Sequence, residues 1–260
     1  MEIRHGVRIA IAAGLMPVLL GSLDGPRARP DGPPLPQPGY HHLGATTTGT
    51  WSGVLGRLSV RDPGVRPGTF DFVATRFMAK TGTPLGVKWL EAGWAEAGWS
   101  GGGQQRIYTF DTNTLKWTFY DQYPIKPGDQ VWIELAASGS GAAASSASPG
   151  AAGSGAAGDA GPTWDAWLWW HDAWHLLTSV ALPISDHATI EEYVEVYVDP
   201  ARDGTIPVPP VQVDNVQLKR DPAGPFGYWT DGVATSPGAG ADGYCLTFEV
   251  PYDTWHAGTC

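Results

Sequence analysis

Apolar and polar positions alternate with period two through most of this chain, and the stretch TIEEYVEVYVDP at 189–200 shows the pattern clearly. In a strand it sends Glu191, Tyr193, Glu195 and Tyr197 to one side, and Ile190, Glu192, Val194, Val196 and Val198 to the other. One face is aromatic and acidic; the other is apolar apart from Glu192. Similar runs recur as WSGVLGRLSV, FDFVATRFMA, GVKWLEAGWAEAGW, RIYTFD, KWTFYDQY, QVWIEL, TWDAWLWW, AWHLLTSVAL, VQVDNVQL and YCLTFEV. Turn signals such as DTNT, KPGD, DPARDG and DPAGP separate many of them. Many short strands at this spacing predict an all-β fold, two antiparallel sheets packed as a sandwich.

The remaining segments set the domain limits. Arg4 and Arg8 precede an apolar run from Ile9 to about Leu20, the pattern of a secretory signal, assigned to residues 1–23. That run is shorter than the ~20 apolar residues that span a bilayer, and no Cys follows it to carry a lipid, so a secreted protein without stable membrane insertion is expected. RARPDGPPLPQPG cannot form a ladder and opens a proline-rich linker over 24–48. A single sandwich domain is expected over 49–260. Within it, the Gly/Ala/Ser segment 138–162 reads as a flexible loop insertion, because it cannot bury enough surface to offset ordering.

Composition narrows the partners. Charged residues make up 16%, with 35 Gly, 23 Pro and 13 Trp, a balance that suits strands and turns. The formal net charge of −10 has no basic patch to offset it, which argues against nucleic acid and anionic membranes. Cys245 and Cys260 are the only cysteines, and export makes a disulfide between them the expectation. His41 and His42 are adjacent and His171 and His175 flank a turn, so solvated or structural roles are expected and no metal site.

A second acidic strand lies in GVKWLEAGWAEAGW, where Val87, Trp89, Glu91 and Gly93 share a face and Glu96 falls on the other unless a bulge intervenes. If this strand and 189–198 lie in one sheet, Glu91 and the second strand's carboxylates line one aromatic cleft. Such a pair suits acid and base work, since repulsion and burial raise one pKa and leave the other group ionised. The plainer reading is a solvated face, with Lys88 and Arg76 available as cross-strand partners. In TWDAWLWWHDAW, Trp167 and Trp169 share one face while Trp164 and Trp170 share the other. They cannot all be core, and some exposed aromatic surface, suited to a sugar or a peptide, should remain.

These features resemble the eqolisins, secreted glutamic peptidases of concanavalin-like sandwich fold. WSG at 51–53 is similar to their Trp-x-Gly start, and WLEAG at 89–93 to the segment that carries a catalytic Gln. FYDQYP at 119–124 is similar to their Trp-Tyr-Glu-Trp-Tyr-Pro, PGDQVWIEL follows as their Gly-Asp turn does, and EEYVEVYVDP falls where they carry a catalytic Glu. The resemblance implies a peptide-cleaving, acid-acting site without metal or organic cofactor, bordered by Trp89, Tyr193, Tyr197 and Tyr120. Glu91 stands where the family has Gln, and could replace an amide only when protonated, as in the paired-Glu neprosin-like relatives. The second catalytic residue is Glu192 by motif, or Glu195 by shared face. At neutral pH such a dyad is expected to fail.

Two other readings stand beside it. A glycoside hydrolase would use Glu191 and Glu195, but Tyr193 lies between them, and four residues along a strand span ~13 Å, against ~5–5.5 Å in retaining enzymes. A non-catalytic module would bind glycan or protein on the aromatic strip. An enzyme predicts Glu91 within about 3 to 6 Å of Glu192 or Glu195; a binding module predicts carboxylates taken up separately by Arg, Lys or solvent.

Overall fold

The computed structural model of the chain describes residues 39–83, 86–138, 162–182, 185–202, 204–240 and 243–260. Among them are fifteen strands: β1 Tyr40–Thr47, β2 Gly53–Ser59, β3 Phe72–Thr83, β4 Gly86–Ala97, β5 Arg106–Asp111, β6 Lys116–Pro124, β7 Gln130–Ser138, β8 Thr163–Trp170, β9 Ala173–Ala181, β10 Thr189–Tyr197, β11 Val211–Lys219, β12 Phe226–Tyr228, β13 Thr235–Pro237, β14 Tyr244–Val250 and β15 Thr254–Thr259. No helix among the described residues is long and apolar enough to cross a membrane. The expected signal, 1–23, lies outside the described residues, as does all but the rim of the insertion expected over 138–162.

The strands form two antiparallel sheets, one ordered β13-β1-β10-β3-β4-β5-β6 and the other β14-β15-β11-β2-β7-β8-β9, with β12 beside β11. Their inner faces close one apolar core. Leu43, Phe77, Trp94 and Ile107 come from the first sheet, and Leu58, Ile133, Trp164 and Trp255 from the second. Trp94 spans the layers, donating its indole N–H to the Ser59 carbonyl at 3.2 Å. Alternation is obeyed in TWDAWLWW as expected: Trp164, Ala166 and Leu168 are buried while Trp169 is exposed. Cys245 and Cys260 form a disulfide that joins β14 to the residue following β15.

One boundary needs correcting. Residues 40–47, read from sequence as the end of the linker 24–48, are β1, paired along its length with β10. Leu43 and Ala45 are buried in the core, which draws this segment into the sheet directly after the prolines. Gly44 is required there, because its φ is +154° and a Cβ would meet the Glu192 carbonyl oxygen at 1.9 Å.

Candidate carboxylate site

β3 lies between β4 and β10 and sends Phe72, Ala74, Arg76, Met78 and Lys80 to the outer face of its sheet. Register does the rest. Met78 stands opposite both Glu91 and Glu191, Ala74 opposite Glu195, and Arg76 opposite Tyr193 on one side and Gly93 on the other. Arg76 is therefore a diagonal neighbour of three carboxylates, within reach of a long side chain. Gly93 permits the close approach: a Cβ there would fall 1.9 Å from the Thr75 carbonyl oxygen and 2.8 Å from the Arg76 Cα.

The guanidinium gathers those carboxylates. Its Nε lies 3.1 Å from Glu91 Oε2 and 2.9 Å from Glu195 Oε2, which places the two oxygens no more than about 6 Å apart. Its Nη2 is 2.8 Å from Glu195 Oε2, and its Nη1 3.6 Å from Glu191 Oε2. Lys80 takes the other Glu191 oxygen, and His42 Nε2 approaches Glu195 Oε1 at 3.6 Å. The Tyr193 ring lies 5.5 Å from the guanidinium carbon. Arg76, Glu91, Glu191 and Glu195 are all buried.

This burial separates the two carboxyl groups. Desolvation pushes Glu91 up to about 8, more than Arg76 opposes, and the charges of Glu195 and Glu191 add to the rise. Desolvation acts on Glu195 too, but there Arg76 and then His42 overcome it and bring the pKa down to about 2. The ledger of charge explains the split: with Glu91 protonated, two carboxylates face Arg76 and Lys80. Burial, aided by the charge on Glu195, also raises Tyr40 to about 12.

Aromatic rings wall the pair. Trp89 stacks on Phe110 at 5.8 Å, Tyr197 on Phe72 at 5.6 Å, and Tyr108 on Trp117 at 4.5 Å. The Tyr108 hydroxyl and Trp89 Nε1 are buried without a hydrogen-bond partner among the described residues. Trp89, Tyr193 and Tyr197 thus share the face of Glu91 and Glu195. Crystal structures of scytalido-glutamic peptidase have a similar architecture: one with a peptide-based transition state analog gives a TM-score of 0.52 at 13% identity, covering 86% of this chain and 99% of that one. Another, with a transition state analog inhibitor, gives 0.52 at 11%, covering 84% and 98%. The likeness is one of fold. The sandwich is eqolisin-like, although no protein-family profile and no curated protein matches the sequence.

Two residues expected at the site from sequence lie elsewhere. Glu192 points between the sheets, fully buried, and accepts the Trp255 indole N–H at 2.8 Å. Its other oxygen has no hydrogen-bond partner among the described residues. Even parity decides this, since Glu192 falls with Ile190, Val194 and Val196 on the core side. Tyr120 packs against the main core; its hydroxyl bonds to Thr109 Oγ1 at 2.9 Å and donates to the Leu177 carbonyl at 3.0 Å. Arg76, considered from sequence only as a surface counter-charge, is instead the centre of the site. The signal available was Arg76 set between Ala74 and Met78 on the outer face of β3, where Lys80 is the other charge.

Burial raises the Glu192 pKa well above the ordinary range, against the Trp255 hydrogen bond, and Asp253 adds to the rise. A raised folded-state pKa means stability that is complete below the unfolded value of ~4.3 and is lost as pH rises toward the folded one. Glu192→Gln should therefore make the decline of unfolding free energy between pH 5 and 8 shallower. Urea titrations across that range test it, and an unchanged slope would show that Glu192 is not held neutral.

Proposed function

We propose that the chain is an exported, peptide-cleaving hydrolase of glutamic-peptidase type, with Glu195 as general base and protonated Glu91 as its partner. Glu195 takes a proton from water as the oxygen attacks the peptide carbonyl. Glu91 donates a hydrogen bond to the developing oxyanion, and the proton held by Glu195 passes to the leaving amine. The observation that carries this reading is the convergence of the two Oε2 atoms on one guanidinium among aromatic rings, with pKa values pushed apart. A polypeptide substrate is supported by the fold shared with a peptidase solved with a peptide-based transition state analog. The disulfide and the N-terminal pattern support export.

The pair is singly protonated between about pH 2 and about 8, so the alkaline limit belongs to Glu91 and extends beyond the acid range expected from sequence. Glu91→Gln supplies the amide of the eqolisin pattern, a donor at every pH. Cleavage of a denatured protein by this variant should stay within about tenfold of wild type and no longer fall near pH 8.

One observation favours a second reading, a non-catalytic binding module: Arg76 Nε stands between the two carboxylates, where an attacking water would be placed. A folded wild-type chain that cleaves nothing from pH 2 to 9 would overturn the peptidase reading and leave this one.

A further inference from the structure

The opposite side of the sandwich carries a second aromatic surface that the carboxylate site does not use. On the outer face of the other sheet, register sets Asp214, Arg57, Trp132, Trp169 and Trp174 directly opposite one another on five successive strands. Trp169 and Trp174 are 38% and 39% exposed. With Trp132, Leu55 and Gln217 they line a depression of about 300 Å³, at the small end of the range for ligand sites.

The row is rigid. Trp169 and Trp174 flank a two-residue turn, His171-Asp172, whose φ angles of 47° and 61° are those of a tight type I′ hairpin. Their rings meet at 5.4 Å and 69°, so one presents its edge to the other. Arg57 lies 5.7 Å from the Trp132 ring centroid and donates to both Asp214 oxygens, at 2.6 and 2.7 Å. That pairing fixes the guanidinium and cancels its charge.

We propose that this row is a platform for a neutral oligosaccharide. The indoles would take the C–H faces of successive sugar rings, and Gln217 with the Arg57–Asp214 pair would take their hydroxyls. Three features select that chemistry. Exposed indoles in water are costly, and two of them in a row with the half-buried Trp132 match a ligand with flat apolar faces. The polar group lining the depression is the Gln217 amide, and the Arg57–Asp214 pair farther along the row is already neutralised, so hydroxyls find donors and acceptors while a charged ligand finds no unpaired charge. Two indoles exposed by little more than a third make a small patch beside the ~800 Å² per partner of a stable protein interface. The inference is independent of whether the carboxylate groove is catalytic.

Native gels containing galactomannan, xyloglucan, xylan or laminarin test the platform with the full chain. At least one of these polysaccharides should retard the wild-type protein. Trp169→Ala and Trp174→Ala should each weaken that retardation about tenfold or more, Trp169→Phe should retain part of it, and Glu91→Gln should leave it unchanged. Both tryptophans are partly exposed, so the variants should melt close to wild type, which a thermal scan checks. A folded wild-type chain retarded by none of the four, or a Trp174→Ala variant retarded equally, overturns the proposal. So does concentration-dependent self-association lost in Trp174→Ala, which would assign the row to a second copy of the chain.

Discussion

Glu195→Gln should lower kcat/KM for peptide cleavage by about 10²- to 10⁴-fold, the contribution of a positioned general base. The amide keeps the shape of the side chain and can still accept from Arg76, so the variant should fold and still bind peptide, but it cannot take a proton from water. A second effect compounds the first. Without the Glu195 charge, Glu91 shares the guanidinium with Glu191 alone and its proton is held less tightly, so the donor to the oxyanion is lost at lower pH than in wild type. Residual cleavage should therefore shift toward acid, with affinity for an uncleaved peptide nearly unchanged. Wild-type cleavage by Glu195→Gln would remove this residue from the mechanism, and with it the paired-carboxyl scheme.

Arg76→Met should cost about 3–5 kcal/mol of stability at pH 7, the usual result of removing one partner from a buried ionic group. That is a large part of the ~5–15 kcal/mol available to a domain. The sign with pH is specific. In the wild-type chain Glu195 has a depressed pKa, so the stability it contributes is present above the unfolded value and is lost only as pH falls through about 2. Without Arg76, burial dominates and its folded pKa lies above the unfolded one, so stability is lost as pH rises. The deficit of Arg76→Met should therefore be largest near neutrality and shrink as pH approaches 4. Urea unfolding at pH 4 and 7 measures it; a deficit equal at both values would mean that the methionine fails to pack, with no part played by the carboxylates.

Period two made much of this legible. The faces of β4, β8 and β10 follow from alternation alone, because each has one wet or grooved side and one core side and a slip of one residue would bury the wrong set. The same parity separates Glu195 from Glu192, where motif matching had pointed to Glu192. Other parts depend on pairings between segments distant in sequence. That β3 lies between β4 and β10, which puts Arg76 among three carboxylates, is fixed by tertiary contacts that no local pattern encodes. β1 was hidden because prolines precede it and its core-facing positions, Leu43 and Ala45, alternate with His42 and Gly44. Tyr120 was placed by its neighbours in FYDQYP, although Trp117 and Phe119 take the groove side and leave Tyr120 to the core.

The distribution of charge on β10 has a consequence for how the chain finds its structure. A strand with carboxylates on both faces has a weak hydrophobic preference between its two possible alignments, which is the condition for misregistered pairing during folding. In the shifted alignment valines would lie against Arg76 and Lys80, and Glu191 and Glu195 would enter the core without partners. Each ion pair on the outer face, and the indole bond to Glu192 on the inner, therefore penalises the wrong alignment more than it stabilises the right one. The groups offered here for chemistry also tell the folding chain which side of β10 is which.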